Sequence, residues 1–281
     1  MIQDKTNRIG IIAGGGQFPL LFAKAARNQG LKVFVAAHEG ETDEALAEYV
    51  DGFQWVKLGQ LGKIINFFKQ EEVRKTVFLG TITKTNIFRD IRPDLTGLGL
   101  WNRINIKQDD AILRALADRL EEDNIEVVSS TAYVPELLFP KGILTKKKPT
   151  KDQLGDIKFG WEIARSIGKL DIGQCVVVRN RTVLAVEAIE GTDAAIRRGG
   201  SLGKEKTVVI KLRKPNQDLR FDLPAVGLKT IDSMKDVQAS VLAVEAGYAL
   251  FFDRDPVIRE ANKSGIVIVG IEEGTDGELS Y

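Results

Sequence analysis

The chain of 281 residues carries 40 Lys and Arg against 39 Asp and Glu, a net charge of +1, with 43% hydrophobic and 28% charged residues. That is the composition of a globular protein long enough for two cores, and it gives no support for a general nucleic-acid binder, which is usually basic overall. One cysteine, Cys175, excludes an intrachain disulfide and agrees with a reducing cytoplasm, while no apolar run reaches membrane-spanning length and Met1 to Lys5 does not open a signal peptide.

Arg8 to Ala13 predicts a buried strand, Phe18 to Asn28 a helix stopped by Gly30, and Leu31 to Ala37 a second strand. Trp55 to Leu58 predicts a third strand, Leu61 to Lys69 a helix and Thr76 to Leu79 a fourth strand. Asp109 to Glu122 has Ile112, Leu113, Leu116 and Leu120 at helical spacing, and Ile125 to Val128 reads as a strand. Strands alternating with helices predict a Rossmann-like, doubly wound parallel sheet over residues 1–138.

The stretch 139–151 holds Pro140, Gly142, Pro149 and five lysines without an acid, which predicts a linker. Residues 152–281 read as a second, mixed α/β domain and the expected seat of catalysis. Its predicted elements are a helix from Leu154 to Ile167 and a hairpin of Cys175 to Arg179 and Thr182 to Glu187 around Asn180-Arg181. Strands at Thr207 to Leu212, Ser240 to Val244 and Ile266 to Val269 follow, with helices at Ile231 to Val237 and Pro256 to Lys263.

Several loops carry candidate chemistry. Gly14, Gly15, Gly16 and Gln17 join the first strand to the first helix, where glycine backbone and free helix N–H groups suit a phosphate. The dinucleotide pattern fails because Pro19 stands at its third glycine, which weakens a nicotinamide oxidoreductase. Gly80 and Thr81 follow the fourth strand and fall at the same sheet edge. Asp110 opens the strong helix, as a dipole partner or a metal or substrate contact.

Glu187 to Asp193, followed by Arg197 and Arg198, groups carboxylates with guanidinium ions, as phosphate chemistry requires. Thr192 or Asp193 would otherwise cap a helix. Between Lys214 and Pro224, Asp222 sits beside Arg220 and ahead of a Leu-Pro pair that favours extended backbone. His38 reads as a surface polar residue and Cys175 as core. One His and one Cys exclude the usual zinc clusters, so a metal site rests on oxygen and favours Mg²⁺ or Mn²⁺.

Ile12 to Gly16, Asp109-Asp110-Ala111, Asp171-Ile172-Gly173-Gln174, Leu184 to Ala188, Glu190 to Asp193, Asp222-Leu223-Pro224 with Gly227, and Val244 to Gly247 stand in the order of one bacterial family. The chain resembles the two-domain UDP-2,3-diacylglucosamine pyrophosphatases of lipid A synthesis. The resemblance implies cleavage of that lipid-linked sugar nucleotide to UMP and 2,3-diacylglucosamine 1-phosphate. It further implies a divalent cation, attack on the sugar-side phosphorus, and a cytoplasmic enzyme peripheral to the inner face of the inner membrane. Asp222 is expected to bind the metal or activate water, with Glu190 and Asp193 as further catalytic and metal candidates. Lys214, Arg220 and Arg197 are expected to neutralise phosphoryl charge. Gly14, Gly15, Gly16, Gln17, Gly80, Thr81, Asp110, Gln174 and Thr192 complete the expected substrate contacts. A homodimer stays open as the assembly, and a non-catalytic nucleotide-sugar binding module stands as a rival.

Overall fold

The computed structural model describes residues 7–82, 94, 96–98, 109–215, 218–221 and 223–281. It divides into two compact units. Unit 1 comprises Met1–Pro135 and Asp218–Phe221, and unit 2 comprises Glu136–Gln217 and Asp222–Tyr281.

Unit 1 is built on one parallel sheet of β1 (Arg8–Ala13), β2 (Lys32–His38), β3 (Gly52–Val56), β4 (Lys75–Leu79) and β5 (Glu126–Val127), in the order β3-β2-β1-β4-β5. This is the doubly wound order, which reverses direction between β1 and β4. The helices are α1 (Phe18–Asn28), α2 (Leu61–Gln70) and α3 (Asp109–Glu122). Ile12, Phe34, Ala36 and Val56 of the sheet form one core with Leu61, Ile64, Ile65 and Phe68 of α2 and with Ala117 and Leu120 of α3. Burial on both faces explains why β1 and β2 read as continuous apolar runs. β3 starts three residues before the predicted strand, because Gly52 to Val56 pair with Phe34 to His38 at the sheet margin, where Phe53 and Trp55 stay half-buried.

The short segment Asp218–Phe221 is counted in unit 1 because its side chains are held there. Phe221 meets the Phe78 ring edge-on with centroids 5.5 Å apart. Arg220 donates from Nη2 to Asp218 Oδ2 at 2.9 Å and from Nη1 to Glu121 Oε1 at 2.9 Å.

Unit 2 contains β6 (Gly142–Ile143), α4 (Lys151–Lys169), β7 (Cys175–Arg179), β8 (Thr182–Val186), α5 (Thr192–Gly203) and β9 (Val208–Lys211). After these come β10 (Ala225–Val226), α6 (Leu228–Asp236), β11 (Val241–Glu245), β12 (Leu250–Phe251), α7 (Arg254–Ser264), β13 (Val267–Glu273) and β14 (Leu279–Ser280). Its main sheet runs β14-β13-β11-β9-β7-β8, with β6 also on β13. β9, β11 and β13 are parallel, and β7 runs antiparallel to both β8 and β9. This is the mixed α/β architecture the sequence predicts.

Two apolar layers sandwich that sheet. Cys175, Val177, Val209, Leu242, Val244 and Ile268 face Ile196, Ile231, Met234 and Val257 on one side. Val176, Val178, Ile210, Ala243 and Val269 face Ile157, Trp161 and Ala164 of α4 on the other. The hairpin turn is as predicted: Asn180 and Arg181 both adopt positive φ, 49° and 54°, which matches the twist of a tight antiparallel pair. Buried Asp156 holds it, accepting the N–H groups of Asn180 at 3.0 Å and Arg181 at 2.7 Å. α4 begins at Lys151 because Thr150 and Gln153 form a reciprocal capping box.

The predicted linker 139–151 is instead part of unit 2. Phe139 is 1% exposed and stacks on Phe251 at 4.5 Å, and Gly142–Ile143 pair with Val269–Gly270. The lysines do not prevent this, because the strand pairing needs only the backbone of Gly142–Ile143 between them. Phe139→Ala is expected to destabilise unit 2 by about 3–5 kcal/mol, read as a lower urea midpoint; an unchanged midpoint would contradict the core assignment. Among the described residues no helix is long and apolar enough to cross a membrane.

Candidate active site

In unit 1 the glycine run and the loop after β4 meet at the topological switch point, as expected. They meet as a backbone zipper. Gly14 N–H donates to Leu79 C=O at 2.8 Å, Gly15 N–H to Thr81 C=O at 2.8 Å, and Thr81 N–H to Gly15 C=O at 3.1 Å. Two of the amides expected to cradle a phosphate are therefore engaged within the chain. Small residues are required because the loops touch: a Cβ on Gly14 would lie 2.5 Å from Thr81 O, and one on Gly80 would lie 2.4 Å from Gly15 O. Gly16, at φ 90° with open space beside it, and Gln17, at the N-cap of α1, form the exposed rim.

His38 is not on the surface. It is buried, and its Nδ1–H donates to Ala13 C=O at 2.9 Å, a carbonyl that also accepts the Thr42 hydroxyl at 2.7 Å. Burial lowers its pKa against the opposing pull of that carbonyl and of Glu41, so the ring is neutral and structural. The end of a strand read as surface here because a buried loop anchor and an exposed polar residue look alike in sequence.

Arg220 also has a structural setting in unit 1, between Asp218 and Glu121. Burial disfavours the Asp218 carboxylate, but the hydrogen bonds and charge of Arg220 outweigh it and hold the pKa below the usual range. A depressed carboxylate pKa gives stability that is present above the unfolded value and is lost as pH falls through the folded one. The thermal midpoint of unit 1 is expected to drop as pH falls below about 4, and Asp218→Asn is expected to flatten that slope. Asp110 lies in the first turn of α3, and its side chain falls outside the described residues.

In unit 2 the candidates gather where β7 begins, β8 ends and α5 begins. Neither Thr192 nor Asp193 caps α5. Gly191, at φ 84°, takes the N-cap position, and the Thr192 hydroxyl donates to buried Glu187 Oε1 at 2.9 Å. Glu190 is exposed and engaged: Oε2 accepts Ala188 N–H at 3.1 Å, and Oε1 pairs with Arg198. Its own N–H first, and then Arg198, lower its pKa. Asp193 is half-buried in the first turn of α5, and among the described residues no hydrogen bond or ion pair engages it. Arg197 pairs with Asp236 of α6 at 3.2 Å, and Lys214 pairs with Asp171 at 2.7 Å. Gln174 precedes β7 by one position, so its side chain falls on the face opposite Cys175, and its buried Oε1 has no partner among the described residues. Asp222 lies outside the described residues.

One residue here was not expected. Lys211, at the carboxyl end of β9, is 5% exposed, and its ammonium donates to Ala225 C=O at 2.7 Å. It stands directly across the sheet from Cys175, which in turn stands beside Glu187. Burial pushes the Cys175 thiol pKa well up, with Glu187 adding to the shift and Lys211 opposing it, so the thiol is inert. The sequence signal was a lysine closing the run Val208-Val209-Ile210, which reads equally well as a strand simply reaching solvent.

Three comparisons bear on this arrangement. The model of the LpxI N-terminal domain matches residues 8–137, and that of the LpxI C-terminal domain matches residues 140–269. A curated protein of Caulobacter vibrioides, UDP-2,3-diacylglucosamine pyrophosphatase LpxI, is 33% identical over 276 residues, covering 94% of this chain and 98% of its own length. The chain belongs to the LpxI family. The two matched LpxI domains account for the two units, and the join between them at residues 137–140 falls beside the division at residue 135.

Proposed function

We propose that this LpxI-family chain hydrolyses the pyrophosphate of UDP-2,3-diacylglucosamine to UMP and 2,3-diacylglucosamine 1-phosphate in lipid A biosynthesis. The observation that carries this reading is the end-to-end correspondence with a relative named for that activity. In the step itself, a water oxygen bonds to the sugar-side phosphorus. The bond from that phosphorus to the bridging oxygen breaks, and the bridging oxygen leaves on UMP. The proton lost by water passes to a carboxylate and then to solvent. Asp222 is the residue we assign to that water, as its base or through the cation that holds it.

A divalent cation, Mg²⁺ or Mn²⁺, neutralises pyrophosphate charge when bound. Mg²⁺ commonly takes one or two protein carboxylates and completes its shell with water and substrate phosphate. Asp193 fits that need, since among the described residues no hydrogen bond or ion pair engages its carboxylate. Glu190 fits poorly, because Arg198 already neutralises it. Among the described residues no group of three or more His, Cys, Asp and Glu stands close enough to enclose a metal, so Asp193 would hold it together with Asp222 and the substrate itself. Lys214 and Arg197 serve as outer charges that exchange their exposed carboxylate partners for phosphate. An acylated substrate brings the protein to the inner face of the inner membrane as a peripheral enzyme.

The test is UMP release from UDP-2,3-diacylglucosamine in mixed micelles, with Mg²⁺ and with excess chelator. Turnover that the chelator abolishes supports the reaction and the cation together. Folded protein that binds the substrate without releasing UMP would instead make the chain a nucleotide-sugar binding module.

A further inference from the structure

Lys211 and Glu187 are buried ionisable side chains, and each ties down one of the two segments that carry the proposed carboxylates. The strap Leu223–Val226 directly follows Asp222. Its Pro224 and Val226 carbonyls accept Leu250 N–H at 2.7 Å and Phe252 N–H at 2.9 Å, so the Ala225 carbonyl turns the other way, where Lys211 meets it. Glu187 likewise accepts the Thr192 hydroxyl in the residue before Asp193. The register puts Glu187, Cys175 and Lys211 side by side on one face of the sheet, at the edge where β9 and β11 end.

A purely structural role leaves the charges unexplained. A neutral donor would satisfy a carbonyl, and burying an ammonium with one carbonyl partner is costly. Among the described residues no ion pair to Lys211 occurs, and buried Glu187 Oε2 has no hydrogen-bond partner there. Two buried groups of opposite sign, separated by one thiol and without an ion pair among the described residues, are a fixed electrostatic arrangement of the kind that supports reacting centres.

We propose that Lys211 and Glu187 are positioning residues for the pyrophosphate cleavage: Lys211 sets the strap that begins after Asp222, and Glu187 sets the first turn of α5 that carries Asp193. The inference rests on the reaction assigned above. It predicts that charge, and not only hydrogen bonding, is needed at position 211.

Steady-state UMP release in mixed micelles, with thermal midpoints measured on the same preparations, tests this in Lys211→Arg, Lys211→Gln and Glu187→Gln. Lys211→Arg keeps the charge and is expected to stay within about fivefold of the unmodified protein. Lys211→Gln keeps a donor for Ala225 and is expected to lose about 100-fold in kcat, with KM within about threefold and the midpoint retained. Glu187→Gln keeps the Thr192 acceptor and is expected to lose about tenfold in kcat at unchanged KM. Lys211→Gln with near-normal kcat would reduce Lys211 to a carbonyl partner and overturn the inference. So would a lowered midpoint and equal losses in both Lys211 variants, which mark a packing role, or a rise in KM alone, which marks simple binding. Unmodified protein that releases no UMP removes the reaction assignment and this inference with it. Turnover by the unmodified protein and by Lys211→Gln alike removes the inference alone.

Discussion

Asp222→Asn is expected to lower kcat for UMP release by about 10³-fold while leaving the thermal midpoint and substrate binding nearly unchanged. Losing a positioned base or metal-bound carboxylate removes roughly 10²–10⁴ in rate. Asparagine preserves shape and most hydrogen bonding, so it separates charge from packing. Single-turnover UMP release together with direct binding of the substrate makes the check. An Asn variant that keeps full kcat would move the base to another carboxylate, with Asp193 next in line because no hydrogen bond or ion pair engages it among the described residues.

Gly80→Ala is expected to destabilise unit 1 by about 2–4 kcal/mol, from two causes that add. Its φ of 86° disfavours an L side chain, and a Cβ there would lie 2.4 Å from Gly15 O. The neighbouring atom is backbone, fixed by the Gly15–Thr81 bridge, so it cannot swing aside. Urea unfolding of the variant makes the measurement. A midpoint equal to that of the unmodified protein would show that the zipper is not a fixed feature of the fold. Loss of UMP release in an otherwise stable Gly80→Ala protein would restore the loop to substrate contact.

In sequence, Gly14-Gly15-Gly16 was the more conspicuous feature, because glycines ahead of a helix suit a phosphate. The structure gives them a local task first: two loops at a switch point can approach only without side chains. Nothing in a single sequence separates glycine needed for a ligand from glycine needed for another backbone. Arg220 shows the same ambiguity. Its neighbours in sequence placed it beside Asp222, yet its guanidinium bonds Asp218 and, 99 positions away, Glu121.

Much of the fold was determined locally. β1 and β2 read as strands because both faces are buried, α3 showed its apolar stripe, and Asn180-Arg181 announced a tight hairpin. The order of several short motif blocks was enough to reach the family, because it depends on many segments at once. What the tertiary structure alone decided depends on pairing between distant residues. Phe139 and Gly142–Ile143 became part of unit 2 by stacking on Phe251 and pairing with β13, despite a lysine-rich context that resembles a linker. His38 became buried because Ala13 offers it a carbonyl. Lys211 and Glu187 acquired their places from a register that aligns β7, β8 and β9, a long-range choice made by the sheet as a whole and carried by no single stretch of sequence.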